Sequence, residues 1–254
     1  DQLEERMLAA NPDLQAAAEN FTQSRDVAAQ VAAHLYPQLI GGASGDKNKS
    51  SRKRLWRGGG ATGPVYMSSE QYHAAATWEP DFWNAIRNRT LIAKQSAQQN
   101  AAEYAVARLS LTTELASDYI ALRGLDAQDA VYKDSIRYYQ LAVQITHMRL
   151  AGAIAAGLDV SRAEAQLAST QAEETDIRAR RDVMEHAIAV LVNMAPASFH
   201  IAPRDRIALS DIHPSSGLPS TLLERRPDIA ASERAMAQAN RAIGVSRAAF
   251  YPHV

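Results

Sequence analysis

The chain repeats itself at a fixed spacing, and that constrains its fold more than any other feature. Asn11-Pro12-Asp13-Leu14 opens an Ala-rich stretch that closes at Leu35-Tyr36-Pro37, and Arg226-Pro227-Asp228-Ile229 opens another that closes at Phe250-Tyr251-Pro252. Pro12 and Pro227 are 215 positions apart, as are Pro37 and Pro252, so the stretches align without a gap. Leu8/Leu223, Ala16/Ala231, Gln23/Gln238 and Ala33/Ala248 match at the same offset. Self-similarity at one period means one structural unit used more than once; here one full unit is followed by the opening of a second. Each leading Pro suits the first turn of a helix, where its missing N–H is not needed. Asn11 is a predicted N-cap. Each Tyr-Pro is a predicted helix end, because the residue before Pro is driven to extended geometry.

Inside the full unit the character changes twice. Residues 38 to 77 are rich in Gly, Ser and Lys and lack a helical period. Their flanks partly alternate: Tyr72, Ala74, Ala76 and Trp78 on one side of a strand, Gln71, His73, Thr77 and Glu79 on the other. Two strands are predicted, joined by a basic loop from Lys47 to Arg57 that runs into Gly58-Gly59-Gly60. From Asp81 to about His147 there is no Pro and only one Gly, Gly124. That length predicts a helix of roughly 100 Å. A heptad fits Leu111, Leu115, Asp118, Leu122, Leu125, Asp129, Tyr132, Ile136, Tyr139, Val143 and Thr146, as a coiled-coil seam requires. A turn is predicted over Ala151 to Gly157, then a second helix from about Leu158 to Val192 with an apolar stripe of Ala163, Leu167, Ile177, Met184, Ile188 and Leu191. Ser161 and Glu164 have capping-box spacing near its start. Pro196 is the predicted stop, and a linker with Pro203, Pro214 and Pro219 follows.

Composition narrows the function. The chain of 254 residues is 46% hydrophobic but only 6% aromatic, with a net charge of −1. Near-neutrality argues against nucleic acid or polyanion partners. There is no cysteine, which excludes disulfides and Cys-ligated metal within these residues. No apolar run reaches the roughly 18 residues of a spanning helix. His34, His73, His147, His186, His200, His213 and His253 show no metal-ligand spacing. No catalytic, cofactor-binding or metal-binding residue is proposed, and no enzyme activity is expected.

The segment Gly217-Leu218-Pro219-Ser220-Thr221-Leu222-Leu223-Glu224-Arg225-Arg226-Pro227-Asp228-Ile229, continuing through Glu233, Ile243-Gly244 and Tyr251-Pro252, resembles the outer membrane factor family of TolC-like efflux channels, and within it the NodT-type efflux lipoprotein branch. Trp78-Glu79-Pro80-Asp81-Phe82, Arg149 with Ala151-Gly152, Leu158-Asp159-Val160, Ala163-Glu164-Ala165-Gln166-Leu167 and Ala187-Ile188-Ala189-Val190-Leu191 extend the resemblance over nearly the whole chain. Asn84 and Asn193 stand where the family has Gly, and the turn is about one residue longer than usual. Asn is the side chain that best tolerates positive φ, so both are expected in that geometry.

The resemblance implies a mainly α fold with a β-hairpin: long antiparallel coiled-coil helices plus strands of a shared trimeric β-barrel. It implies first-repeat entry helices over 1–37, an outer-membrane hairpin with a basic loop over 38–79, a long periplasmic helical hairpin over 80–195, and a linker with the opening helix of the second repeat over 196–254. An N-terminal stretch with a lipid-bearing Cys is implied upstream. The implied function is a passive outer-membrane exit duct for small molecules, a homotrimer contacting outer-membrane lipid, a periplasmic adaptor and an inner-membrane pump. The alternative is a structural periplasmic coiled-coil protein such as the adaptor itself. The implied docking turn comprises Ala151, Gly152, Ala153, Ile154, Gly157, Leu158 and Asp159. Trp78, Arg225, Arg226, Pro227, Asp228, Tyr251 and Pro252 are implied structural motif residues, Arg225 and Arg226 with Glu224 in helix-end ion pairing and capping. Three points stay open. Asp159 either ties neighbouring helices at the entrance or only caps its own. The basic loop either faces lipopolysaccharide phosphates or is simply solvated. Asp118 and Asp129 either face a lumen or break the heptad frame.

Overall fold

A computed structural model describes residues 2–49, 66–204 and 219–252. The elements are α1 (Gln2–Ala10), α2 (Pro12–Ala33), β1 (Gln38–Lys49), β2 (Tyr66–Thr77), α3 (Ala85–Ala151), α4 (Gly157–Leu191), a 3-10 turn (Pro196–Ser198), α5 (Pro219–Glu224) and α6 (Pro227–Ala248). The fold is mainly α with one antiparallel strand pair. Residues 50 to 60 of the basic loop, and Pro214 in the linker, lie outside the described residues; Lys47 and Lys49 sit on β1. Among the described residues no helix is long and apolar enough to cross a membrane.

The chain groups into two compact units, residues 1–21 with 100–231 and residues 22–99 with 232–254. In the first, α4 runs antiparallel to the distal part of α3, as the cross-pairs Asp126–Arg181, Asp129–Arg178 and His147–Glu164 show. The predicted heptad holds. Leu115 and Leu122 are buried and the other seam residues of α3 are half-buried, Tyr139 being just more exposed. The α4 seam is more regular than its apolar residues suggested. Thr170, Glu174 and Arg181, all buried, fill the heptad between Ala163, Leu167, Ile177, Met184, Ile188 and Leu191. One end of the pair closes over a core of Met7, Leu115, Leu122, Ile188, Ala189, Val192 and Phe199, each large side chain contributing about 1.5–3 kcal/mol through burial. Asn11 is the N-cap the sequence indicated: its Oδ1 accepts from the N–H groups of Asp13 (2.9 Å) and Leu14 (3.1 Å), and its Nδ2 donates to Leu191 O (3.0 Å).

In the second unit β1 and β2 pair over twelve residues each, from Gln38↔Thr77 to Lys49↔Tyr66. The register puts Leu39, Gly41, Ala43, Tyr72, Ala74 and Ala76 on one face, and Gln38, Gly42, Ser44, Gln71, His73 and Thr77 with Ile40 and Ala75 on the other. A Cβ on Gly42 would overlap the exposed His73 ring across the ladder, which would have to turn aside. Trp78 Nε1 donates to Leu35 O (3.2 Å), joining the two ends of the hairpin. Trp83 Nε1 donates to Pro252 O (3.1 Å), and its ring stacks on Tyr251 at 4.3 Å.

Helix ends carry the remaining differences. α3 begins at Ala85 rather than Asp81, because Asp81 acts as its cap: Oδ1 accepts from Ile86 N–H (3.1 Å) and Oδ2 from Arg87 N–H (2.8 Å). Asn84, with φ 58°, is the left-handed residue just before it. At the far end of α4, Asn193 has φ 53°. There Met194 N–H bonds Ala189 O (2.8 Å) and Asn193 N–H bonds Val190 O (3.0 Å), the Schellman pattern. Ser161 lies inside α4 and caps nothing, so the expected capping box is not used; Glu164 pairs with His147 instead.

Candidate functional site

The turn between the two longest helices is built from two end motifs set back to back. α3 stops in a second Schellman motif: Ile154 N–H reaches Arg149 O (2.8 Å) and Ala153 N–H reaches Leu150 O (2.9 Å). Its left-handed residue is Ala153, with φ 58°, and not Gly152. α4 begins at Gly157 behind an extended Ala156. Asp159 Oδ2 accepts from Ala156 N–H at 3.3 Å. That is the reach-back half of a capping box; Ala156 has no side-chain acceptor to supply the other half.

The turn therefore spends glycine where its own backbone does not need it. Neither Gly152 nor Gly157 has positive φ. A Cβ on Gly152 would meet only ordinary contacts of 3.6–3.7 Å, and one on Gly157 would meet nothing within 4 Å. Beside them the large apolar side chains face outward: Ile154 is 81% exposed, Leu158 60% and Met148 66%. Ala151, Ala153 and Asp159 are exposed as well. All seven predicted turn residues are exposed.

The motif residues separate into two groups. Trp78 closes the hairpin base, and Tyr251 and Pro252 receive Trp83. Arg226 grips Asp228 with Nε–Oδ1 at 3.1 Å and Nη2–Oδ2 at 2.7 Å, just ahead of the α6 N-terminus at Pro227. The Arg226 hydrogen bond, helped by the Ile229 N–H and the Arg226 charge, holds the Asp228 carboxyl below the usual range against the upward push of desolvation. Arg225 is exposed.

A buried charge cluster escaped the sequence reading. Arg181 donates to Asp126 (2.7 Å), Glu185 (2.7 Å) and Ile201 O (2.6 Å). Arg123 donates to Asp126 (2.8 Å) and Ala202 O (2.8 Å). Asp126 also accepts from Arg204 N–H (3.1 Å), and Glu185 accepts from Ile201 N–H and lies 3.0 Å from His200. These charges pin the backbone of residues 201–204 to the coiled coil. The available signal was their position: Arg181 falls on a heptad seam, where a charge is costly unless paired. Asp129 also stays in the frame, facing Arg178 of α4 and Lys133. Among the described residues no group of side chains is arranged to hold a metal ion.

The sequence profile described as "Outer membrane efflux protein" matches residues 3–193. The pyoverdine export outer membrane protein OpmQ of Pseudomonas aeruginosa is 26% identical over 253 residues, covering 99% of this chain and 53% of that protein. Nodulation protein T of Rhizobium leguminosarum bv. trifolii is 26% identical, covering 98% and 52%. The solved outer-membrane channel OprN superposes with a TM-score of 0.83 at 29% identity, covering 98% of this chain and 55% of that one. The chain thus spans about half the length of these relatives. A profile match over most of the chain, together with the superposition of helical hairpin and strand pair, places the chain in the outer membrane efflux protein family.

Proposed function

We propose that the full-length protein is a passive outer-membrane exit duct for small molecules, a homotrimer whose energy and substrate choice come from an inner-membrane pump joined through a periplasmic adaptor. The strand pair supports the membrane end. Twelve residues per strand exceed the 9–11 a tilted spanning strand needs. Over the half from Gln38 to Ser44 and Gln71 to Thr77 one face is mostly apolar and the other mostly polar, as a wall between lipid and water requires. Toward the loop end Lys47, Lys49, Ser68 and Glu70 make the apolar face polar. Each strand pairs only with the other among the described residues, so strands from elsewhere must complete a closed barrel.

The observation that carries the adaptor end is the pair of glycines that the turn does not itself require, flanked by exposed Ile154 and Leu158. Small residues beside outward apolar ones suit close approach of a partner helix. Asp159 would then tie neighbouring helices at a closed entrance as well as cap α4. The test uses the full-length protein in cells with its pump and adaptor. Gly157→Trp and Gly152→Trp abolish efflux at unchanged trimer level, and Asp159→Ala raises the conductance of the reconstituted channel. Normal efflux in both tryptophan variants at normal expression moves the docking site elsewhere, and no conductance from the reconstituted protein defeats the duct reading itself.

A further inference from the structure

The base of the strand pair holds a small notch beside the first rung, Gln38↔Thr77. Its volume is about 310 Å³. His34 and Tyr36 reach it from the segment that follows α2, and Trp78 and Glu79 from the segment that follows β2.

The lining has one electrostatic sign. Glu79 supplies a carboxylate, and among the described residues neither Lys nor Arg lines the notch. Gln38 Nε2 donates to His34 Nδ1 (3.1 Å), which leaves the amide oxygen of Gln38 as an acceptor. Trp78 is held in place by the bond from its Nε1 to Leu35 O (3.2 Å), and both Trp78 and Tyr36 are exposed. Electron-rich ring faces beside a carboxylate attract a cation. A hard metal ion would need six or more oxygen ligands, and among the described residues no such group of acids exists. Two rings, one acid and one amide oxygen suit an organic ammonium group instead. Its carbons pack on the rings while its charge meets the acid.

Position narrows the source. By alternation Trp78 ends the apolar face that runs through Tyr72, Ala74 and Ala76, with Leu39 opposite Ala76. Indole and phenol rings settle at the headgroup level of a membrane, and Phe82 and Trp83 are exposed just beyond Trp78. The notch thus stands where the apolar face stops. Its volume admits a lipid headgroup but not acyl chains, which would lie along Leu39 and Ala76.

We propose that this notch binds an organic ammonium group, with Glu79 as its counter-ion, Tyr36 and Trp78 as its ring walls and Gln38 as a hydrogen-bond acceptor. An amine-bearing phospholipid headgroup and a soluble amine share this chemistry; the place of Trp78 at the end of the apolar face favours the lipid. A bound headgroup would fix the depth of the hairpin in the membrane. The inference rests on the membrane placement of the strand pair in the duct reading above.

The test titrates the full-length protein in detergent, by calorimetry, with three probes: dihexanoyl phosphatidylethanolamine, dihexanoyl phosphatidylglycerol and chain-free glycerophosphoethanolamine. The ethanolamine lipid binds at least about fivefold more tightly than the glycerol lipid. Glu79→Gln weakens the ethanolamine lipid about tenfold and leaves the glycerol lipid unchanged. His34→Lys, at an exposed position, puts a cation into the notch; it weakens the ethanolamine lipid and strengthens the glycerol lipid. This variant carries the test should Glu79→Gln fail to assemble. Comparable binding of the chain-free probe assigns the site to soluble amines, and binding of the chain-bearing probe alone assigns it to lipid. Equal binding of the two lipids, or a preference that survives both substitutions in proteins that melt like the parent, overturns the site. The duct reading then stands if the reconstituted protein conducts and falls with the site if it does not.

Discussion

Asp129 on α3 receives Arg178 of α4 at 3.3 Å and Lys133 of its own helix at 2.5 Å, with its side chain only 14% exposed. Partial burial pushes the carboxyl up, but the hydrogen bonds and charges of Lys133 and Arg178 outweigh it and hold Asp129 below the usual carboxylate range. A group whose pKa is depressed on folding contributes stability that is present above its unfolded pKa and lost as pH falls through its folded pKa. Asp129→Asn should therefore cost about 1–2 kcal/mol at neutral pH. The gap from the parent should close as pH drops below the ordinary carboxylate value. Urea midpoints across an acid pH series measure it; a gap that stays constant would mean that Asp129 acts through packing alone.

The cluster of Arg181, Asp126 and Glu185 should be the most sensitive polar site of the helical pair. Arg181→Ala leaves two buried carboxylates without their shared partner and should cost about 3–5 kcal/mol. It should also expose residues 199–204 to early proteolysis, because Arg181 holds Ile201 O. Replacing Arg181, Asp126, Glu185 and Arg123, which shares Asp126, together by Met, Leu, Leu and Met should recover most of the loss. A quadruple variant as unstable as Arg181→Ala would show that the cost is not electrostatic.

Among the described residues three non-glycine residues sit at positive φ, namely Asn84, Ala153 and Asn193. Ala is the least suited, since the left-handed conformation costs a Cβ-bearing residue about 1–2 kcal/mol. Ala153→Gly should stabilise the protein by about 0.5–1 kcal/mol once the extra freedom of the unfolded glycine is counted. Asn193→Val should destabilise it by about 1–2 kcal/mol. Thermal melts of the pair decide the point, and opposite signs would refute the backbone argument.

Gly157→Ala should be harmless or stabilising to the fold, by up to about 1 kcal/mol, because helix positions favour Ala over Gly and the space around it is open. Efflux should nonetheless fall in the full-length protein. Calorimetry beside an efflux assay separates the two effects. A variant that is both more stable and fully active would mean that the glycine serves no partner.

The sequence by itself determined what is periodic or local. The 215-residue offset exposed the repeated helix, alternation through Tyr72, Ala74 and Ala76 set the hairpin faces, and the heptad from Leu111 to Thr146 marked the α3 seam. Asn11, Asn84 and Asn193 disclosed their geometry because caps and positive φ depend on the residue and its immediate neighbours. Only the tertiary structure decided the rest. Asp126 and Arg181 are 55 positions apart and read as surface charges until α4 folds back along α3. Trp83 finds Tyr251 across 168 positions, and Arg234 and Gln238 find Gln95, Gln98 and Gln99 across nearly 140. The placement of the left-handed residue at Ala153 rather than Gly152 was also settled by where α3 and α4 end. Periodicity records which face of an element avoids water; it carries no information about which distant element covers that face, and that pairing arises only when the chain closes on itself.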